Sequence, residues 1–112
     1  MESILTSIKK LLGIEEEYEH FDQDIIMYIN NAFMTLTQIG VGPKEGFSIY
    51  DDSASWSDFI PEGSNLEGVK TYIYLKVRLV FDPPPASVLE SMKSMAAELE
   101  WRLNAEVESA EP

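Results

Sequence analysis

Acidic side chains are the first candidates for chemistry in this 112-residue sequence. Asp51, Asp52 and Asp58 could supply a general acid and a general base, which requires two carboxylates on rigid elements that face a cleft. They lie instead in a serine-rich segment, DDSASWSD, and nothing in the sequence marks any of these carboxyl groups as perturbed. The spacing therefore predicts no acid–base catalytic site.

The only histidine, His20, lies in a second acidic group, EEEYEHFD. Together with Glu15, Glu16, Glu17 and Glu19 it could gather a hard cation. The run lacks the glycine and the alternating oxygen ligands of a calcium loop, however. A charged run of this kind is typical of a solvated face, and we predict no metal site here.

A third candidate, Gly40-Val41-Gly42, has the glycine spacing of a nucleotide-binding turn. It follows a predicted helix rather than a strand, and it lacks both the later glycine of a dinucleotide fold and the lysine of a P-loop. The sequence contains no cysteine, which excludes a thiolate nucleophile and a cysteine-based zinc site. We assign no catalytic, cofactor-binding or metal-binding residue and predict a protein that is not an enzyme and uses no cofactor.

Charge is the unusual feature of the composition. Twenty Asp and Glu residues against eight Lys and Arg residues give a formal net charge of -12, so the chain should repel the phosphates of nucleic acid. Solubility alone could explain this balance. The sharper explanations are a surface that faces a basic partner, or one that DNA must pass without adhering.

The cellular compartment is predicted from features that the sequence does not contain. A chain without cysteine suits a reducing cytoplasm, and no apolar run approaches the roughly 20 residues that span a bilayer. The N-terminal segment MESILTSIKKLLG has no small-residue cleavage site, so it is not typical of a signal peptide. We predict a cytoplasmic protein without a membrane partner.

Two helices are predicted in the first 40 residues. Apolar residues recur at helical spacing over residues 4–12, before Gly13 ends the pattern. A second, broader apolar stripe covers residues 24–39, with Asp22 placed to cap its start.

Residues 40–65 are rich in Gly, Ser, Asp and Pro and predict one long loop, within which residues 53–60 could form a helical turn that holds Trp56 and Phe59 on the core. Residues 71–81 fit both the alternation of a strand and the spacing of a helix. The uninterrupted length from Asn65 to residue 81 favours a helix, as does the lack of any partner strand for a sheet. We predict a helix capped by Asn65.

Asp82-Pro83-Pro84-Pro85 then forms a stiff corner, because none of these prolines can continue a helix. A last helix is predicted over residues 86–103, and residues 105–112 form an acidic tail that is expected to fray. The sequence therefore predicts an all-α fold, a small bundle of about four helices with a long Gly/Ser/Asp-rich loop before the third main helix. Residues 1–104 make up its single domain.

Aromatic residues exceed what a small core requires, although core packing accounts for most of them. Four residues are candidates for contacts between subunits, since aromatic residues and arginine dominate interface hot spots. They are Trp56 and Phe59 in the loop, and Trp101 and Arg102 near the end of the last helix.

The order of these features resembles the small head-tail connector, or head-completion, proteins of tailed bacteriophages and prophages. The resemblance covers most of the chain and rests on five segments: ILTSIKKLLGI, LTQIGVG, SWSDFI, VKTYIYLKVRLVFDPP and ELEWRLN. It implies an all-helical structural subunit that joins identical copies in a ring below the portal protein, extends the DNA channel and docks the tail through a tail-side neck protein.

The resemblance also implies a location and a set of contacts. The protein would assemble in the host cytoplasm and reside in the virion neck, and residues 40–65 and 105–112 would contact other subunits or the portal protein. DNA would pass nearby without specific binding, and Glu106 and Glu108 are candidates to face the channel. The alternative is a small acidic inhibitor that mimics DNA and occupies the basic cleft of a host DNA-binding enzyme.

Overall fold

Five α-helices follow one another in the computed structural model, which describes residues 2–61 and 65–110. Within these residues there is no strand, only one isolated β-bridge between Ser3 and Ser55. The predicted all-α bundle is confirmed, as is the choice of a helix for residues 71–81. The helices are α1 (Ile4–Leu11), α2 (Asp22–Gln38), α3 (Trp56–Phe59), α4 (Leu66–Phe81) and α5 (Ala86–Ala110).

α1 begins and ends at the residues that its local chemistry favours. The hydroxyl of Ser3 accepts a hydrogen bond from the backbone N–H of Thr6, 3.2 Å away, and so satisfies one of the free donors of the first turn. Gly13 follows the helix with φ of 79°, a left-handed conformation in which glycine has no Cβ to clash. The predicted stop at Gly13 is therefore confirmed.

A buried lysine attaches the acidic connector to α1. The Lys9 side chain is almost fully buried, and its Nζ donates hydrogen bonds to the carbonyl oxygens of Glu16 (2.9 Å) and Tyr18 (2.7 Å). Oδ1 of Asp22 lies 2.8 Å from the same nitrogen. Three oxygens thus surround an ammonium group with three N–H bonds, which is the condition for burying it without a large loss of free energy.

The prediction that Asp22 caps α2 is wrong. Phe21 is the residue that precedes α2, and no side chain caps the helix there. The carboxylate of Asp22 lies in the first turn and pairs with Lys9 instead, because a buried cation attracts it more strongly than an exposed backbone N–H does. Its position near the helix N-terminus remains favourable for the helix dipole.

α4 lies between α2 and α5. The rings of Phe21 and Phe81 meet edge to face with centroids 5.2 Å apart, which places the start of α2 beside the end of α4. The hydroxyl of Tyr72 donates to Glu100 (3.0 Å), and the amide of Asn65 donates to Glu106 (2.9 Å). Tyr72 and Glu100 are the pair nearer in sequence to the proline corner at residues 82–85, and Asn65 and Glu106 are the pair further from it on both sides. α5 therefore runs antiparallel to α4.

Both ends of α4 agree with the sequence prediction. The Asn65 side chain accepts from the N–H of Gly68, 3.3 Å away, and so caps the helix as expected. At the other end the three prolines reverse the chain; Pro84 is buried, and the carbonyl of Pro85 accepts the N–H groups of Val88 and Leu89 at the start of α5. The corner therefore also begins α5.

The long loop of residues 40–65 is fixed to the core, as far as residue 61, by side chains on both sides. The amide of Asn30 makes two hydrogen bonds with the backbone of Ile49, at 2.8 and 2.9 Å. Gly42 has φ of 87°, and a Cβ at this position would overlap the ring of Phe59. The helical turn predicted within the loop is confirmed as α3.

The boundary expected at residue 104 is absent from the described part of the chain. α5 continues to Ala110, the amide of Asn104 donates to the carbonyl of Ile39 (3.1 Å), and Val107 packs against Gly40 and the core. Residues 105–110 therefore belong to the helical domain rather than to a frayed tail. The last two residues of the predicted tail, 111 and 112, lie outside the described residues.

No helix within residues 2–61 and 65–110 is both long enough and apolar enough to cross a membrane.

The burial of Lys9 leads to a stability prediction. Replacing Lys9 with Met should lower the free energy of unfolding by about 2–4 kcal/mol, because two carbonyls and a partly buried carboxylate lose their cation. Urea unfolding followed by circular dichroism measures this change. Lys10→Met is the matched control: Lys10 is exposed and, among the described residues, forms an ion pair with Glu2 alone, so its loss should change the unfolding midpoint little. Equal effects of the two substitutions would contradict the proposed role of Lys9.

Candidate interaction surfaces

Trp56 and Phe59 are core residues in this fold. Trp56 is fully buried, and its indole N–H donates to the hydroxyl of Ser7 at 3.0 Å. The Phe59 ring packs on Phe33 and Phe47, with centroids 4.6 and 5.3 Å apart. Their prediction as interface residues must be corrected, because side chains packed in the core of one subunit have no surface to offer a neighbour.

Trp101 has the opposite environment. Its side chain is 71% exposed on the face of α5 that points away from α4. Four residues before and after it lie Ala97 and Ala105, and three residues before and after it lie Glu98 and Asn104, so no large apolar side chain flanks the indole at these positions. The side chain that meets solvent here is far larger and more apolar than solubility requires, which is the environment expected of an interface anchor.

Arg102 lies beside Trp101 and is already paired within its own helix. Its Nε and Nη2 donate to Oε1 of Glu98 at 3.1 and 2.8 Å, and both side chains are largely exposed. This pair adds little to stability at the surface. It does neutralise the charge of Glu98 beside Trp101, whereas Glu100 and Glu108 leave the surroundings of the indole acidic.

Further large apolar side chains are exposed on α2, the loop and α4. The sequence prediction did not identify them as surface residues. A signal was present for two of them: Met27 and Met34 lie outside the apolar stripe of α2 and are seven residues apart, which is the spacing of a second apolar line along one helix. Val80 lies in the last turn of α4 and is exposed, although it continues the helical spacing of the buried residues Val69 and Val77. The most exposed members of this set are Met27, Met34, Tyr50 and Val80.

Two grooves run along α2, one on each side of Met34. The α2–loop groove, with a volume of about 850 Å³, separates α2 from residues 45–50. The α2–α4 groove, of about 400 Å³, is lined by Tyr28, Asn31, Ala32, Met34, Thr35, Gln38, Lys76 and Val80. Lys76 is the only charged residue of this second lining, and it has no ion-pair partner within residues 2–61 and 65–110.

The acidic residues at the end of α5 differ in their contacts. Glu106 is exposed and accepts the hydrogen bond from Asn65, so it helps to join α5 to the start of α4. Glu108 is exposed on the last turns of the helix. The prediction that they face a DNA channel concerns an assembly and is taken up below as a proposal.

Glu100, further back on α5, has a structural role. It accepts a hydrogen bond from Tyr72, whose side chain is fully buried. Burial, and then the hydrogen bond to Glu100, raise the pKa of Tyr72 above its ordinary value. The phenol therefore stays protonated and serves as a link between α4 and α5.

The acidic residues considered for catalysis or metal binding have local roles in the structure. Asp58 accepts from the backbone N–H of Ser55 (2.9 Å) and so caps α3, and hydrogen bonds from Ser53 lower the pKa of Asp51. The ring of His20 packs edge-on against Phe21, with centroids 4.7 Å apart. Within the described residues, no three His, Cys, Asp or Glu side chains are grouped closely enough to hold a metal ion.

The contrast between the two tryptophans can be measured by fluorescence. In Trp101→Phe the remaining indole, Trp56, should emit at short wavelength and resist quenching by acrylamide, because it is buried. In Trp56→Phe the remaining Trp101 should emit at longer wavelength and be quenched several times more strongly. Similar quenching of the two variants, with native circular dichroism in both, would contradict these placements.

Comparison with protein-family models identifies a family. A family model described as phage connector protein matches residues 4–110, which includes all five helices. No curated protein and no solved structure matches the chain significantly. The matched family is structural rather than enzymatic, and its members contact other proteins of the virion. Because the match extends over nearly the whole sequence, the chain belongs to the phage connector protein family.

Proposed function

We propose that this phage connector protein is a subunit of a ring in the virion neck. Copies of the chain join below the portal protein, extend the channel through which DNA passes and offer a surface to which a tail-side neck protein docks. The family match over residues 4–110 is the observation that carries this proposal. Assembly takes place in the host cytoplasm, without a cofactor and without specific binding of DNA.

The exposed apolar surfaces support assembly. A single chain of this size gains nothing in solubility from exposed Trp101, Tyr50, Val80 and the methionines of α2, and contiguous apolar surface is typical of protein interfaces. A ring subunit needs contacts with two neighbours, a portal and a tail. Several separate apolar areas are therefore expected.

Electrostatic repulsion between neighbouring copies must be overcome in such a ring. Each copy carries a formal charge of -12, so neighbouring copies repel one another at long range. Apolar contacts between subunits, or a basic surface on the portal protein, have to outweigh this repulsion. In the assembled neck the same charge is useful, because an acidic channel wall forms no counterion-releasing contacts with DNA phosphates.

Electron microscopy tests the proposed ring directly. The purified protein, alone and mixed with heads that carry the portal protein, should form rings coaxial with the portal. Association of the purified protein measured by light scattering should strengthen as the salt concentration rises from about 0.05 to about 0.5 M, since salt screens the repulsion. A protein that forms no ring under either condition, and that instead competes with DNA for a basic enzyme, would be the DNA mimic.

The acidic end of α5 can be tested separately. Replacing Glu108 with Lys should slow DNA ejection, because a ring of new cations in the channel would bind passing phosphates. Ejection kinetics from assembled particles give the measurement. Glu17→Lys, which makes the same charge change in the connector between α1 and α2, is the control. Unchanged ejection in Glu108→Lys particles that contain a complete ring would show that Glu108 does not line the channel.

A further inference from the structure

Trp101 and the α2–α4 groove are two surfaces of one molecule with complementary form. Trp101 projects from α5 with Ala97 and Ala105 four residues to either side, while the polar side chains of Glu98 and Asn104 lie three residues away. The indole therefore reaches beyond the two alanines and is the large apolar group at this position of the helix. The groove is a depression between two helices with exposed Met34 and Val80 in its lining.

The α2–α4 groove is large enough to hold the indole of Trp101. The groove volume of about 400 Å³ exceeds that of one indole side chain and leaves room for the alanines beside it. A helix that lies in a groove between two other helices, with an aromatic anchor inserted, is a common mode of recognition. Exposed apolar area on both sides would be removed from water on contact.

Electrostatics distinguish this pairing from others on the same molecule. Two chains of charge -12 associate most easily where the acidic surface of one copy meets a surface of the next that has no acid, and the Trp101 side of α5 is acidic through Glu100 and Glu108. The α2–α4 groove has no acidic residue in its lining, and Lys76 is present there without a described ion-pair partner. The larger α2–loop groove contains Glu45 and no cation, so it is the less favourable receptor.

Lys76 adds a specific attraction for an indole. A lysine ammonium over the face of a tryptophan is attracted by the ring electrons, and tryptophan is the best partner for this contact. The protein already contains one example, in which Nζ of Lys70 lies 5.7 Å from the centre of the Trp56 ring. On the opposing surface the Glu98–Arg102 pair is internally neutral, so the charge that remains near Trp101 is the acidic charge of Glu100 and Glu108, opposite in sign to Lys76.

We propose that Trp101 of one copy inserts into the α2–α4 groove of the next copy, head to tail. This inference rests on the proposed ring and specifies its subunit contact. The anchor and the groove are different surfaces of the same chain, so each copy retains one free anchor or one free groove after pairing. Such heterologous contacts continue from copy to copy and close into a ring when the rotation permits.

Substitution of either surface tests the contact. Trp101→Glu removes the anchor, and Met34→Glu places an acid in the groove; both positions are exposed, so both variants should keep the unfolding midpoint of the original protein. Each should weaken self-association by about 30-fold or more, the effect of losing an interface hot spot. Lys76→Ala should weaken it by about threefold to fivefold, as expected for one cation–π contact.

Matched controls make the same change elsewhere on the same helices. Met95→Glu lies on α5, and Met27→Glu lies two turns before Met34 on α2; both side chains are about half exposed. Neither lines the α2–α4 groove or neighbours Trp101 along the α5 surface. Both controls should self-associate within about threefold of the original protein, since isolated surface changes away from a contact have small effects.

Mixing the two defective variants provides the decisive test. Trp101→Glu retains an intact groove, and Met34→Glu retains an intact anchor, so an equimolar mixture should form a one-to-one dimer that grows no further. The unsubstituted chain should form larger assemblies. Native mass spectrometry distinguishes these species.

The outcomes separate this inference from the proposed ring. Rings on portal-bearing heads that form equally well with Trp101→Glu would overturn the contact while leaving the connector function intact. An unsubstituted chain that stops at a symmetric dimer, or a mixture that stays monomeric, would also overturn it. Absence of any ring, with or without heads, would refute the proposed function itself.

Discussion

Burial of α4 between α2 and α5 is the constraint on which the rest of the structure depends. α4 carries apolar side chains around much of its circumference; Val69, Tyr72, Ile73, Leu75 and Val77 are all buried. A helix of this kind is stable only when neighbours cover several of its sides. α2 and α5 provide this cover, and each therefore has one inner face used for packing and one outer face that is free for other contacts. The positions of Met34, Val80 and Trp101 on the surface follow from this layout.

The helices were predictable because their patterns are long and their breaks are strong. Residues 65–81 combined an Asn cap, sixteen helical residues and a proline stop, and the absence of any partner strand decided against a sheet. The end of α5 was predictable in principle as well. Leu99, Leu103 and Val107 continue one stripe at intervals of four, which shows that the helix extends beyond residue 104.

Other features depend on contacts that no local pattern contains. Lys9 is buried because the carbonyl oxygens of Glu16 and Tyr18 and the carboxylate of Asp22 surround its ammonium group. The sequence of the connector before α2 is typical of a solvated segment and gives no sign of these contacts. Trp56 and Phe59 are core residues because the loop between α2 and α4 returns to α1 and α2, through Asn30 and the turn at Gly42. Composition alone cannot distinguish an aromatic residue that anchors a loop from one that anchors a neighbour, since both are large, apolar and set among polar residues.

α5 links the fold to the proposed assembly. Its inner face packs on α4 through Met92, Ala96 and Leu103, so the direction in which Trp101 points is fixed by the same residues that stabilise the subunit. Glu108 lies seven residues beyond Trp101, about 10 Å further along a rigid helix. A contact made by Trp101 would therefore also determine where each copy places its acidic helix end. The proline corner sets the angle of α5 against α4, and in a ring this angle would be repeated at every subunit. A small change in that angle accumulates around a closed ring, whereas it costs an isolated subunit only local repacking. In the proposed ring the corner would therefore constrain the geometry of assembly in addition to its role in the fold, where Pro84 is buried and Pro85 begins α5.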